Sequence, residues 1–184
     1  MKTNSRPASV RSASPVAMAM ASCWMCSSTM AATSASVTVN FRGEYSVPTC
    51  SVVGDQDQIV VLRTVQARDL VPVGTPKEET RFTITFQCPS GVNNARIFLD
   101  GSSVDTSTGN LVPQSGPGMA QNVQIHLQND DGSVIKVGDA TTMKVIPVSG
   151  TQPIPVDFYA SYYPTGDVSP GDVNAIATYV IDVP

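Results

Sequence analysis

Residues 36–47 read Ser-Val-Thr-Val-Asn-Phe-Arg-Gly-Glu-Tyr-Ser-Val, and a cysteine follows at position 50. Alternate positions of this stretch fall on opposite faces of an extended strand, and one face is polar throughout. The other face comprises Val37, Val39, Phe41, Gly43, Tyr45 and Val47. Twelve residues is about twice the usual strand length of 5–6 residues. Such a strand can be the first strand of a complete β-sandwich or can pair with the sheet of another molecule, and the alternation alone leaves both open.

The composition favours one small all-β domain. A chain of 184 residues has room for a single core and a short additional segment. Charged residues make up only 14% of the chain, and it contains 13 Gly and 14 Pro. Few charges, many turn formers and plentiful Val and Thr are typical of strands joined by turns. Intrinsic disorder is excluded as a description of the whole chain because 41% of its residues are hydrophobic.

Residues 1–35 have the layout of a secretory signal peptide. Lys2, Arg6 and Arg11 give a basic start, residues 15–26 a modest apolar centre, and small residues lead to Ala35. The apolar centre is too short to span a membrane. The segment carries three of the eleven basic residues and none of the fifteen acidic ones, so the remainder has a net charge of −7. An acidic domain of this kind is a poor nucleic-acid binder.

The four cysteines divide into two pairs. Cys23 and Cys26 form a C-x-x-C inside the apolar centre of the signal, which favours no metal or redox role for them. Lipidation of Cys23 is left open. Cys50 and Cys88 lie in the exported domain, where a disulfide is expected. Closing a loop of this length stabilises the fold by about 4 kcal/mol in the chain-entropy model.

Further strand-like segments follow at intervals of about 8–15 residues and predict an antiparallel sandwich. Residues 58–65 form an apolar run that predicts a fully buried strand. In residues 81–88, Phe82, Ile84 and Phe86 alternate with polar residues. The other predicted strands are 95–100, 122–128, 133–137, 142–146, 155–163 and 172–183. No helix or internal repeat is predicted.

No catalytic or metal-binding motif is visible. His126 is the only histidine, and its place in an alternating strand predicts that it faces solvent. Asp130 and Asp131 precede Gly132 in a predicted hairpin turn, which explains the pair without chemistry. Tyr159, Tyr162 and Tyr163 favour packing within and beside a strand, with a sugar-stacking surface as the alternative. We therefore expect neither an enzyme nor a cofactor or metal site.

Three segments are informative when they are taken together. The first is Phe-Arg-Gly-Glu-Tyr-Ser-Val-Pro-Thr-Cys-Ser-Val at 41–52. The second is the spacing from Cys50 to Cys88 with Gln87-Cys88-Pro89, and the third is Gly-Asp-Val-Asn-Ala-Ile-Ala-Thr-Tyr at 171–179. In this order and spacing they resemble the fimbrial (pilin) subunits of the chaperone–usher pathway, especially minor subunits of P-pilus and type 1 pilus tips. The resemblance covers the chain from about residue 36 to its end.

The resemblance implies an incomplete immunoglobulin-like β-sandwich that lacks its last strand. A periplasmic chaperone fills the resulting groove temporarily. In the fibre, the N-terminal extension of the next subunit fills it by donor-strand exchange at an outer-membrane usher, a form of strand addition. The expected domains are a signal peptide (1–35), a donor-strand extension (36–47) and a pilin domain (48–184). Val37, Val39, Phe41 and Gly43 would be the donor residues, with Tyr45 and Val47 either continuing them or beginning the domain.

The same resemblance assigns the last strand to the border of the groove. The face that would contact the chaperone and later the donor comprises Ala175, Ala177, Tyr179, Ile181 and Val183. The sequence departs from the family here, because Val183 and Pro184 stand where an aromatic residue is usual. An aromatic anchor is lost, and a proline cannot donate a backbone hydrogen bond.

The expected function is that of a structural subunit of an adhesive pilus, exported through the periplasm to the cell surface and polymerised with neighbouring pilins. The alternative is a receptor- or sugar-binding module of a tip adhesin. Adhesins of this pathway usually carry a separate N-terminal lectin domain in place of a donor extension, and a chain of this length has no room for one. The sequence leaves open whether the subunit belongs to the rod, the tip or an adaptor.

Overall fold

The computed structural model describes residues 37–43 and 50–184. Within them the chain forms ten strands and two short 3-10 helices, Ala67–Asp69 and Ala140–Thr142. Neither of these helices is long and apolar enough to cross a membrane. The strands are β1 (Val37–Gly43), β2 (Ser51–Val52), β3 (Asp57–Leu62), β4 (Lys77–Gln87), β5 (Asn94–Asp100), β6 (Gln121–Asn129), β7 (Val134–Ile135), β8 (Val145–Pro147), β9 (Ile154–Ser169) and β10 (Val173–Asp182).

The strands form two five-stranded sheets. The first sheet has the order β3-β1-β10-β5-β8, and the second has the order β2-β4-β9-β6-β7. Buried residues from both sheets make one hydrophobic core. The predicted all-β sandwich is confirmed, and β1 occupies a position inside the first sheet rather than at its edge.

The centre of the core follows the alternation of β4. Phe82, Ile84 and Phe86 are buried, while the residues between them are at least partly exposed. Phe82 pairs with Phe158 of β9, and the two rings stack with their centroids 5.5 Å apart. A stacked aromatic pair of this kind adds about 0.5–1.5 kcal/mol beyond the area it buries. Period-two patterning therefore sets the inner face of the second sheet.

Cys50 and Cys88 form the predicted disulfide, with an S–S distance of 2.06 Å. Both residues are buried. The bond joins the residue before β2 to the residue after β4, beside the two pairs Ser51–Gln87 and Val52–Phe86. Together with these pairs and the hydrogen bond from the Val53 N–H to the Thr85 carbonyl oxygen, the covalent bond holds this segment to the second sheet.

The prediction that residues 58–65 are fully buried is wrong. In β3 only Val60 and Leu62 face the core, whereas Ile59 and Val61 are 63% and 62% exposed. The strand ends at Leu62, and Val65 lies in the loop that follows. A continuous apolar run indicates a fully buried strand only when both faces of the sheet are covered. In the first sheet, the outer face of β3 is exposed at Ile59 and Val61.

Candidate functional site: the groove between β3 and β10

β1 separates two strands that are otherwise unpaired with each other. It runs parallel to β10 over seven register pairs, from Val37–Val173 to Gly43–Tyr179. It runs antiparallel to β3 over six pairs, from Val37–Leu62 to Arg42–Asp57. Without β1 the first sheet would be divided between β3 and β10. The site is therefore a groove one strand wide, and in this structure the chain's own residues 37–43 occupy it.

The register brings the predicted donor positions onto the floor of this groove. Val37, Val39, Phe41 and Gly43 pair with Val173, Ala175, Ala177 and Tyr179 of β10, and these four partners are all buried. On the other flank, Val60 and Leu62 of β3 are buried as well. The polar positions of β1 pair instead with the outward-facing positions of its neighbours.

The predicted groove-bordering face of β10 is only partly buried. Ala175, Ala177 and Tyr179 are buried, Ile181 is half-buried, and Val183 is exposed and lies beyond the end of the strand. The Tyr179 hydroxyl donates a hydrogen bond to the Gln56 carbonyl oxygen at 3.2 Å, which ties β10 to the segment before β3. Burial raises the pKa of Tyr179, so this hydroxyl stays protonated and can donate near neutral pH.

A cavity of about 650 Å³ continues the groove at the end where β10 begins. Its apolar wall includes Leu70, Val123, Tyr162, Val168 and Val173. The Tyr162 hydroxyl donates to the Arg63 carbonyl oxygen at 2.9 Å, and burial raises the pKa of Tyr162 to about 12. An extended chain that leaves the groove at this end would meet an apolar chamber.

The three tyrosines considered as a sugar-stacking surface do not form one. Tyr162 is buried and faces the cavity, whereas its neighbour Tyr163 points to the other side of β9. Tyr163 stacks on His126, with ring centroids 5.7 Å apart. Tyr159 is half-buried on the same side as Tyr163. The three rings therefore do not share one surface.

His126 corrects a further prediction, because it is only 5% exposed. Residues 104–112 fold over this side of β6, with Leu111 bridging to Ile125 by two backbone hydrogen bonds. His126 Nδ1 lies 2.9 Å from Asn110 Oδ1 in this covered space. Burial lowers the pKa of His126, so the imidazole is neutral at physiological pH.

A chain of side-chain hydrogen bonds leads from His126 to a carboxylate. Gln124 Nε2 donates to Asp105 at 2.7 Å, and Asn110 Nδ2 donates to Gln124 Oε1 at 3.0 Å. Asn110 Oδ1 is then an acceptor, so His126 Nδ1 carries the proton. Hydrogen bonds from Ser107 and Gln124 lower the pKa of Asp105 to about 2, which keeps it ionised. The side chains of this network have hydrogen-bond partners, and together they hold residues 104–112 against β6.

Asp130 and Asp131 serve the hairpin turn between β6 and β7. Lys144 Nζ lies 2.5 Å from Asp130 and 3.7 Å from Asp131. The Ser133 backbone N–H donates to Asp131 at 2.9 Å. Among residues 37–43 and 50–184, no group of three or more His, Cys, Asp or Glu side chains is placed to hold a metal ion.

The geometry defines a class of protein: a two-sheet sandwich in which an N-terminal segment fills the place of a missing strand, as in pilins. The family model described as "Fimbrial protein" matches residues 24–184. The major fimbrial subunit SMF-1 of Stenotrophomonas maltophilia is 32% identical over 160 residues, which cover 83% of this chain and 95% of that protein. The type-1 fimbrial protein A chain of Escherichia coli (strain K12) is 31% identical over 78% of this chain and 81% of its own length. The chain belongs to the fimbrial protein family.

Solved structures show the same fold. A type I fimbria protein and antigen of Burkholderia pseudomallei aligns with a TM-score of 0.54 and 25% identity, covering 82% of this chain and 99% of that one. The P pilus rod subunit PapA aligns with a TM-score of 0.59 and 15% identity, covering 74% of this chain and 99% of PapA.

Family membership makes the chain a structural subunit of a fimbria. It is exported to the cell surface and polymerises with neighbouring pilins, and the periplasmic chaperone and outer-membrane usher follow from the same membership. The similar proteins include a major fimbrial subunit, so the likeness extends beyond the minor tip subunits that the sequence motifs resemble. The predicted signal peptide, Cys23, Cys26, Tyr45 and Val47 lie outside the described residues.

Proposed function

We propose that this subunit polymerises by donor-strand exchange, in which residues 36–47 of one copy enter the groove between β3 and β10 of another. Val37, Val39, Phe41 and Gly43 would be the donor residues on the groove floor. The observation that carries the proposal is the position of β1, which is flanked by strands on both edges and aligned with buried floor residues on both. The groove of one copy can therefore bind residues 36–47 of a second copy, because the two copies have the same segment.

The groove accepts the donor segment in either direction. β3 and β10 run antiparallel to each other, because β1 is parallel to one and antiparallel to the other. A strand between them therefore makes one parallel and one antiparallel ladder whichever way it enters. Reversing a strand with a period of two residues also keeps the same residues on the same face. The connection of β1 to its own domain thus does not restrict the groove to that segment.

Each part of the chain has a role in export or in strand exchange. Residues 1–35 direct export, residues 36–47 are the donor extension, and residues 48–184 form the pilin domain. Before exchange, a periplasmic chaperone would cover the groove along β10, on the face formed by Ala175, Ala177, Tyr179, Ile181 and Val183. Exchange at the outer-membrane usher would then replace the chaperone with the next subunit.

The subunit needs no catalytic activity for this role. Strand exchange trades one set of main-chain hydrogen bonds and buried side chains for another, and no covalent bond is made or broken. Each Val or Phe buried on the groove floor contributes roughly 1.5–3 kcal/mol relative to its exposed state. The stability of the fibre would come from these contacts.

A labelled peptide of residues 36–47 tests the proposal. The exported chain, with its disulfide intact, is unfolded and refolded with excess fluorescent peptide, and native protein is separated from free peptide. We expect a labelled complex with a raised melting temperature, because a ligand that binds only the folded state stabilises it. The matched control is the same peptide with Val39→Asp and Phe41→Asp, which should give neither label nor stabilisation.

Two outcomes would contradict the proposal. One is native protein that carries no label even after refolding in peptide at saturating concentration. The other is equal uptake of the control peptide, which would show that the alternation of the segment does not matter. In the first case residues 36–47 are simply the permanent first strand of a complete sandwich.

A further inference from the structure

The last residues of β10 pair with β5. Val180, Ile181 and Asp182 lie opposite Phe98, Ile97 and Arg96. The end of a strand is the part most prone to fray. An incoming strand that pairs with β10 beyond Tyr179 would need these residues in place, so their order determines how far it can pair.

Arg96 of β5 holds this end of β10. It is the register partner of Asp182, and its guanidinium forms an ion pair with the Asp182 carboxylate. A second guanidinium nitrogen, Nη1, donates to the Ala140 carbonyl oxygen at 3.3 Å. The Arg96 side chain is only 20% exposed. A charge-assisted hydrogen bond in such a position is stronger than an exposed ion pair.

A second arginine–aspartate pair provides a comparison. Arg81 of β4 lies 3.4 Å from Asp157 of β9, in the sheet that does not contain the groove. Its side chain is 63% exposed, and we expect that pair to contribute little. The two pairs share their chemistry and differ in burial and in place, so one can serve as the control for the other.

We infer that Arg96 is a positioning residue for strand exchange: it fixes Val180–Asp182 so that the donor segment of a second copy can pair along the whole of β10. The inference rests on the proposed function. Preorganisation of a binding edge raises affinity by removing the cost of ordering it, and such gains appear mainly in the dissociation rate.

The experiment measures the dissociation of the labelled 36–47 peptide from the full exported chain and the hydrogen exchange of the Val180–Asp182 amides. The variants are Arg96→Gln and Asp182→Asn, with Arg81→Gln as the matched control. Ile135→Val, at a fully buried position of β7 in the second sheet, controls for a general loss of stability.

We expect Arg96→Gln and Asp182→Asn each to speed peptide dissociation on the order of tenfold and to speed exchange of the three amides. The double variant should be no worse than either single one, because both remove the same pair. Arg81→Gln and Ile135→Val should leave the dissociation rate within about twofold of the unsubstituted chain. If Arg96→Gln does not fold, Asp182→Asn gives the same test.

The inference is overturned if the dissociation rate and the amide exchange of Asp182→Asn match those of the unsubstituted chain, or if Ile135→Val speeds dissociation equally. In both cases strand exchange itself would stand, since the unsubstituted chain would still take up the peptide. If the unsubstituted chain takes up no peptide, the proposed exchange fails, and the role of Arg96 fails with it.

Discussion

Removal of the disulfide should destabilise this domain by a large part of its total stability. The perturbation is the double substitution Cys50→Ala and Cys88→Ala. The bond spans a sequence separation of 38 residues. Loop-closure entropy for a loop of that length amounts to about 4 kcal/mol at 25 °C. A domain of this size is stable by roughly 5–15 kcal/mol, so much of that margin depends on one bond.

Few other contacts of the described residues hold this segment to the second sheet. β2 contributes two register pairs, and the Val53 N–H donates to the Thr85 carbonyl oxygen at 2.8 Å. Both sulfur atoms are buried, and alanine therefore also loses some packing. We expect a total loss of about 4–6 kcal/mol.

Urea unfolding followed by far-UV circular dichroism measures this loss by linear extrapolation. Unsubstituted chain with its disulfide chemically reduced keeps both sulfur atoms, so its loss isolates the cross-link from the packing. The slope of the unfolding free energy against urea should also rise, because an unfolded chain without a cross-link is more expanded. A loss below about 1 kcal/mol in both samples would refute the reasoning. It would mean that the unfolded chain is already confined without the bond.

Three further predictions follow from particular positions. Gly171→Ala should destabilise the fold by about 1–3 kcal/mol or more in thermal unfolding, because a Cβ there would overlap backbone atoms of residues 118–120. Stability should fall as the pH drops below about 6.5, by at most about 1.4 kcal/mol per pH unit, because burial lowers the pKa of His126 in the folded state only. His126→Gln should flatten that dependence between pH 5.5 and 7.5 in urea titrations. Replacing both Ile59 and Val61 by Thr should change the free energy of unfolding by less than about 0.5 kcal/mol. Val60→Thr should lower it by about 2 kcal/mol, since of these three residues only Val60 faces the core.

The parts of the fold that could be predicted from the sequence are those in which neighbouring residues determine the outcome. Alternation of Phe82, Ile84 and Phe86 identified the inner face of β4, and the two cysteines of the exported domain formed their disulfide. A period-two pattern identifies the buried face of a strand even when the other face of the sheet is exposed to solvent. The assignment of the groove to β10 came from a family resemblance, and composition alone would not have located it.

The parts that could not be predicted depend on distant segments. Ile59 and Val61 look buried in sequence, and only the absence of a covering layer over β3 makes them exposed. His126 looks exposed, and residues 104–112 together with the Tyr163 ring cover it. β9 extends to Ser169, whereas the predicted strand ended at residue 163. Alternation also could not tell whether residues 37–43 pair within their own sheet.

The position of β1 between two strands bears on the response of the fibre to mechanical tension. Its seven register pairs with β10 and six with β3 lie along the strand axis on both edges. A pull along that axis loads the hydrogen bonds of both ladders in shear, so they must yield together rather than open one after another from an end. A donor segment seated in the same way would make each junction between subunits resistant to traction.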